Sequence, residues 1–218
     1  MDSSVHISPV HIIVPFRPDG AKSRLSPVLS PDERHLLALH MLKDVLSVAS
    51  EAGKITILSR PKADKNLIIP RAEILCSGLD LNDALNELIQ NHFKRGWPDN
   101  LLIIMADMPL LTIEDVQGII KTDGDVVLSP SRGGGTNMIL IRNSKFRTCY
   151  NGSSFLKHLE LAQRMGLKVG IYSTHSSMCD VDVPADIQEI LLHGKGATRT
   201  LLESFGFGSK EKEQRYLI

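Results

Sequence analysis

Leu101-Leu102-Ile103-Ile104-Met105-Ala106 is the longest uninterrupted apolar run in the chain, and it constrains the fold more than any other feature. Successive strand residues point to opposite faces, so a strand without polar alternation needs cover on both sides. That is the situation of a parallel sheet held between helices. The run is also far shorter than the roughly 18 apolar residues that a membrane helix requires.

The flanking sequence repeats the same grammar. Val10 to Val14 is a β-branched run stopped by Pro15, and it reads as a first buried strand followed by an irregular loop to about Pro27. Ser30, Pro31 and Glu33 form a capping-box pattern that opens a long helix, which Gly53 is expected to end. Further strands are predicted at Ile55 to Leu58, Glu73 to Cys76, Asp125 to Ser129, Thr136 to Ile141 and Val169 to Tyr172. Helices are predicted at Asn82 to Phe93, after the Thr112/Asp115 cap, from Ser154 to near Gly166, and over 184–193 and 197–205. Gly133, Gly134 and Gly135 leave too short a connection for a helical crossover, so one strand there is expected to be antiparallel. Strands alternating with helices give an α/β fold: one domain, with a mostly parallel sheet flanked by helices.

At 218 residues the chain is long enough for one self-sufficient core. Lys plus Arg number 25, as do Asp plus Glu, so there is no net field to gather a polyanion. Nucleic-acid binding is therefore not expected, although a local basic patch could still hold a phosphorylated metabolite. Cys76, Cys149 and Cys179 are odd in number and widely spaced, which suits reduced thiols. The histidines show no HExxH or comparable ligand set. Met1 to Val10 has neither a basic nor an apolar signal-peptide region, and a cytoplasmic protein that neither enters nor crosses a membrane is expected.

Several clusters could carry chemistry. Pro18-Asp19-Gly20-Ala21-Lys22-Ser23-Arg24-Leu25 follows the first strand, at the edge where open α/β sheets bind ligands. Lys22 offers a point charge and Arg24 a planar fork of donors to a polyphosphate. An ordinary solvated turn is an equally good reading of the spacing, and no Walker or GxGxxG pattern is present. Asp107 emerges from the end of the apolar strand. In Asp180-Val181-Asp182 the two carboxylates share one side of an extended segment, about 7 Å apart at Cα. With Asp107 they would suffice for Mg²⁺ beside nucleotide phosphates. Asp186 reads instead as a helix-capping residue. The Gly133 to Asn137 loop permits close backbone approach, and the serines after Tyr150 either cap a helix or hold an anion there.

Taken together, VPFRPDGAKSRLSPVLSPDER, SGLDLNDAL, ADMPLL, GGGTN, SSFLKH and DVDVPAD resemble the 2-phospho-L-lactate guanylyltransferase family of coenzyme F-420 biosynthesis, in order and over nearly the whole chain. The resemblance implies a glycosyltransferase-A-like nucleotidyltransferase fold over 1–208, followed by a charged tail at 209–218. It implies transfer of GMP from GTP to 2-phospho-L-lactate or phosphoenolpyruvate, with release of pyrophosphate. Gly20, Lys22, Ser23 and Arg24 would hold the GTP phosphates, and Leu81 and Asn82 would lie beside the guanine. Asp107, Asp180 and Asp182 would bind Mg²⁺, with Lys22, Arg24 and Asp107 catalytic. Thr136, Asn151 and Ser154 would hold the phosphorylated three-carbon acid.

Three positions depart from the family pattern. Arg17 stands for an expected lysine, Ser131-Arg132 occupies a commonly acidic site, and Asn151 replaces a glycine, where its tolerance of left-handed backbone would preserve the turn. The alternatives are a related transferase with another nucleotide or acceptor, and a silent nucleotide-binding scaffold. The apolar end Tyr216-Leu217-Ile218 suggests a subunit contact and hence a homodimer.

Overall fold

A computed structural model describes residues 10–17, 22–61, 72–96 and 100–208. Among these, seven strands form one sheet: β1 (Val10–Pro15), β2 (Gly53–Ser59), β3 (Ala72–Cys76), β4 (Asn100–Ile104), β5 (Val126–Pro130), β6 (Thr136–Ile141) and β7 (Val169–Ile171). Their order is β3-β2-β1-β4-β6-β5-β7. Only β6 runs against its neighbours β4 and β5; the remaining pairs are parallel. The helices are α1 (Pro31–Ala49), α2 (Leu81–Lys94), α3 (Ile113–Lys121), α4 (Ser154–Arg164), α5 (His175–Met178), α6 (Pro184–His193) and α7 (Ala197–Ser204).

The apolar run is now explained. Leu102 and Ile104 pack with α1, α3, α6 and α7 residues such as Met41, Ile119, Ile187 and Leu202. Leu101 and Ile103 pack on the other face with Leu85 and Ile89 of α2 and Ala162 of α4. Because α1 leads from β1 to β2 on one face and α2 leads from β3 to β4 on the other, strand order reverses between β1 and β4. This is the switch point of a doubly wound sheet, where strand ends splay and leave a crevice.

Local sequence sets most of the boundaries. Ser30 Oγ accepts from Glu33 N at 3.2 Å while Glu33 Oε2 accepts from Ser30 N at 2.8 Å, closing the expected capping box. Thr112 and Asp115 close another at the start of α3. Gly53, however, does not end α1; the helix stops at Ala49 and Gly53 begins β2. A Cβ there would lie 2.1 Å from the Val10 carbonyl oxygen, so the glycine serves close strand pairing instead. The four-residue α5 falls within a stretch for which no element was expected.

Long-range caps finish the frame. Asp44 on α1 accepts from Ala197 N and Thr198 N at 2.7 and 2.9 Å, supplying from another helix the cap that α7 lacks in its own sequence. Arg142, just past β6, donates to the carbonyls of Ile120, Thr122 and Gly124 and so satisfies the end of α3. No helix among the described residues is long and apolar enough to cross a membrane. Gly20 and the 209–218 tail lie outside the described residues. Asp44→Ala should cost about 1–2 kcal/mol, the usual value of a lost N-cap, read as a lower urea midpoint with an unchanged slope.

Candidate functional site

The loop after β1 brings Lys22 back over the crevice. Its Nζ donates to Asp107 Oδ2 at 2.5 Å and to Asp182 Oδ1 at 2.9 Å, with only 10% of its side chain exposed. Arg24 approaches the other Asp182 oxygen at 3.4 Å. Burial alone would depress the Lys22 ammonium, but Asp107 and Asp182 outweigh it and hold it above its ordinary value. Lys22 is also the one non-glycine residue with positive φ (59°) among the described residues, a backbone state that surrounding contacts must hold in place.

Asp107 follows the end of β4, and Val181 N donates to its carbonyl at 3.1 Å, which fastens the Asp180-Val181-Asp182 segment to the sheet. Asp186 caps that segment rather than joining the site: its Oδ2 accepts from Asp182 N and Val183 N, as expected. Asp180 is pushed up to about 6, first by burial and then by the charge of Asp107. Two carboxylates thus bind a single buried ammonium, with the third, Asp180, near enough to feel the charge of Asp107. Their oxygens do not close on one point among the described residues. Mg²⁺, however, takes one or two protein carboxylates and fills its other positions with water and phosphate, so hard oxygen donors in this arrangement fit it.

A cavity of about 380 Å³ opens beside these groups. Phe16, Met41, Leu81 and Met105 give it an apolar floor, while Arg17, Lys22, Ser23, Arg24, Asp107 and Asp182 supply the polar wall. The volume lies within the roughly 300–1,000 Å³ of small-molecule sites. Three cations beside an apolar lining suit a polyphosphate joined to a base. Arg17, the departure from the expected lysine, also donates to Leu79 O at 3.1 Å and so holds the loop ahead of α2.

The other expected residues gather one strand away. Thr136 begins β6, and its neighbour Asn137 accepts from Met105 N, so the hairpin opens onto the same sheet edge as Asp107. Ser154 Oγ donates to Thr136 Oγ1 at 3.1 Å, and both residues are buried. His158 completes the set: Cys149 N donates to its Nε2 at 2.7 Å, so a neutral ring carries its proton on Nδ1 and donates it to Thr136 Oγ1 at 2.9 Å. Burial lowers His158 from 6.5 to about 4 and keeps it neutral.

Asn82 faces this side rather than the cavity. Its Oδ1 accepts from Tyr150 N at 2.6 Å and its Nδ2 donates to Asn151 Oδ1 at 3.2 Å. Asn86, one turn on, holds Thr148 in the same manner. Asn151 itself is exposed and is not left-handed; Gly152 takes positive φ (64°) and makes the turn, which corrects the expected role of Asn151. Of the predicted residues, then, Lys22, Ser23, Arg24, Leu81, Asp107 and Asp182 line one cavity, with Asp180 close by. Thr136 and Ser154 form a separate buried pair. Sequence reading placed Tyr150 at the head of the serine cluster without giving it a role; its buried hydroxyl has no hydrogen-bond partner among the described residues. Sequence reading also left out Asn86, although its position one turn beyond Asn82 was a usable signal.

A doubly wound sheet with facing cations and carboxylates at its switch point has the design of a nucleotidyltransferase. Solved structures agree on the fold. A putative nucleotide-diphospho-sugar transferase from Desulfovibrio desulfuricans G20 superposes with a TM-score of 0.71 at 21% identity, covering 91% of this chain and 96% of that one. A nucleotidyl transferase from Methanothermobacter reaches 0.58 at 14% identity, over 90% and 99% of the two chains. At the level of sequence, residues 10–217 match the family described as Guanylyl transferase CofC like, and the chain belongs to that family. It is 47% identical over 210 residues to the 2-phospho-L-lactate guanylyltransferase of Methanothrix thermoacetophila, covering 96% of this chain and 95% of its relative. It is 37% identical over 205 residues to that of Archaeoglobus fulgidus, covering 94% of each.

The His158 geometry predicts acid sensitivity. The unfolded chain takes up this proton near pH 6.5 and the folded chain only near 4, so the stability it supports is complete above about pH 6.5 and is lost as pH falls toward 4. His158→Gln should start less stable at pH 7, yet its urea midpoint should fall less steeply between pH 6.5 and 4 than that of the natural chain. Equal slopes would remove His158 from the acid response.

Proposed function

We propose that this chain transfers GMP from GTP to 2-phospho-L-lactate or phosphoenolpyruvate, releasing pyrophosphate, as a cytoplasmic step in coenzyme F-420 biosynthesis. The observation that carries the reading is the cavity at the switch point, where Arg17, Lys22 and Arg24 stand opposite Asp107 and Asp182. Family membership and the names of the relatives supply the substrate class.

The acceptor's phosphate oxygen attacks the α-phosphorus of GTP. The new P–O bond forms as the bond from α-phosphorus to the bridging oxygen breaks, and that oxygen leaves with pyrophosphate. The attacking oxygen is already anionic near neutral pH, so no strong general base is required. Positioning and neutralisation of charge carry the rate. Lys22 and Arg24 turn from the carboxylates toward the phosphates, Arg17 guards the outer end of the cavity, and Leu81 and Met41 face the base. Asp107, Asp180 and Asp182 would hold Mg²⁺, which when bound neutralises phosphate charge. On the acceptor side, Thr136 receives hydrogen bonds from Ser154 and His158, which leaves its own hydroxyl proton for an acceptor oxygen.

Pyrophosphate release with Mg²⁺, measured for each nucleoside triphosphate with and without each acid, tests this directly. Release should require GTP together with one of the two acids, and Asp182→Asn should abolish it while leaving the thermal midpoint within a few degrees. Dependence on another nucleotide would favour a related transferase, and nucleotide binding without turnover a silent scaffold. The homodimer expected from Tyr216-Leu217-Ile218 belongs to the same proposal: light scattering should give a dimer mass for the full chain and a smaller one for a chain ending at Gly208.

A further inference from the structure

We infer that His175, Cys179 and Glu189 form a binding site for a transition-metal cation of the Zn²⁺ type, separate from the nucleotide cavity, with His193 at its edge. His175 and Cys179 are four residues apart across the short α5, Glu189 and His193 are four apart on α6, and the two pairs face each other. One ligand atom from each of His175, Cys179 and Glu189 lies within 4.8 Å of the others, the sole such group among the described residues.

The two spacings around His175 bracket those of a coordination sphere. Metal bonds of about 2.0–2.3 Å to oxygen, nitrogen and sulfur in a tetrahedron set ligand atoms about 3.3–3.6 Å apart. Here His175 Nε2 lies 3.1 Å from Glu189 Oε2 and 3.8 Å from Cys179 Sγ. His193 Nε2 is 3.8 Å from the same Glu189 oxygen, and the two imidazole rings stand 5.0 Å apart. Arg132 holds the other Glu189 oxygen at 3.1 Å, orienting the carboxylate as an outer partner does in metal sites.

A cation would bind all three ligand atoms at once, which hydrogen bonds among them do not. A neutral His175 ring can donate from Nε2 to Glu189 or accept there from the Cys179 thiol, but it cannot do both. A metal ion replaces both protons and bonds all three atoms at once, with release of the thiol proton. Thiolate, imidazole and one carboxylate select a borderline cation over Mg²⁺. Cys179 is buried and immediately precedes Asp180, so an ion here would pin α5 to α6 on either side of the segment that carries Asp180 and Asp182.

Cobalt makes the test optical. The full chain, freed of metal with chelator and titrated with Co²⁺ in excess Mg²⁺, should bind one equivalent. It should show visible bands of tetrahedral intensity and a near-ultraviolet thiolate-to-cobalt band, both removed by Zn²⁺. Cys179→Ser should abolish the thiolate band. The exposed His175→Gln should weaken Co²⁺ binding at least roughly tenfold, the loss seen even for outer-shell partners, and Cys76→Ser should change neither signal. No thiolate band in the natural chain, a band that survives Cys179→Ser, or unaltered affinity in His175→Gln would each overturn the site.

Discussion

One buried ammonium joins three distant parts of the chain. Lys22 from the loop after β1 meets Asp107 from the end of β4 and Asp182 from the approach to α6. Burial opposes its charge, and the two carboxylates more than restore it. The same bonds hold Lys22 in a left-handed backbone state that its Cβ disfavours. Remove the cation and Asp107 and Asp182 lose their shared counter-charge, a repulsion that solvent screens in part because Asp182 is 45% exposed. The arrangement therefore serves two ends: it closes the fold around the switch point, and it keeps a cation and its acidic counterparts at the place where phosphates would exchange with them.

The sheet delivers those groups without special devices. A strand covered on both faces must sit centrally, and a central parallel strand presents its carboxyl end at the crevice. The sequence from Leu101 to Asp107 is that statement in miniature, apolar through the sheet and acidic where it emerges. The helices on both faces follow from the alternation of inward residues on the strands, which assigns Leu102 and Ile104 to one side and Leu101 and Ile103 to the other.

Features written in local sequence were legible. β-branched runs marked the strands, and Ser30/Glu33 and Thr112/Asp115 marked two helix starts, because each pattern is complete within a few residues. The short connection through Gly133 to Gly135 foretold the one reversed strand. What escaped has partners far away in the chain. Asp44 caps a helix more than 150 positions on. Buried Asp115 accepts from Thr174 and Ser176 as well as closing its own box, and that anchors the four-residue α5 within a polar stretch without apolar periodicity. Asn82 carried a functional expectation from resemblance, yet its amide is committed to the 150–151 backbone and side chain, a use that no spacing rule encodes. Conversely, Lys22, Arg24 and Asp107 meet at the cavity because sheet geometry brings the loops after β1 and β4 together, while Asp182 arrives on the approach to α6, fastened by the bond from Val181 N to Asp107 O.

The reversal of β6 has an architectural consequence. Parallel strands reach the crevice with their ends, and the loops after β1 and β4 go on to α1 and α3, which cover one face of the sheet. Since β6 runs the other way, it reaches the same edge with its beginning, and the loop before it is a closed hairpin between β5 and β6. The tip of that hairpin is fastened to three helices: Phe155 N of α4 donates to Gly134 O, Arg132 N donates to Met178 O of α5, and the Arg132 guanidinium pairs with Asp186 and Glu189 of α6. The crevice thus has one wall made of strand ends and one made of a hairpin clasped by helices, so that a change of loop length on the second side is passed directly to how α4, α5 and α6 sit on the sheet.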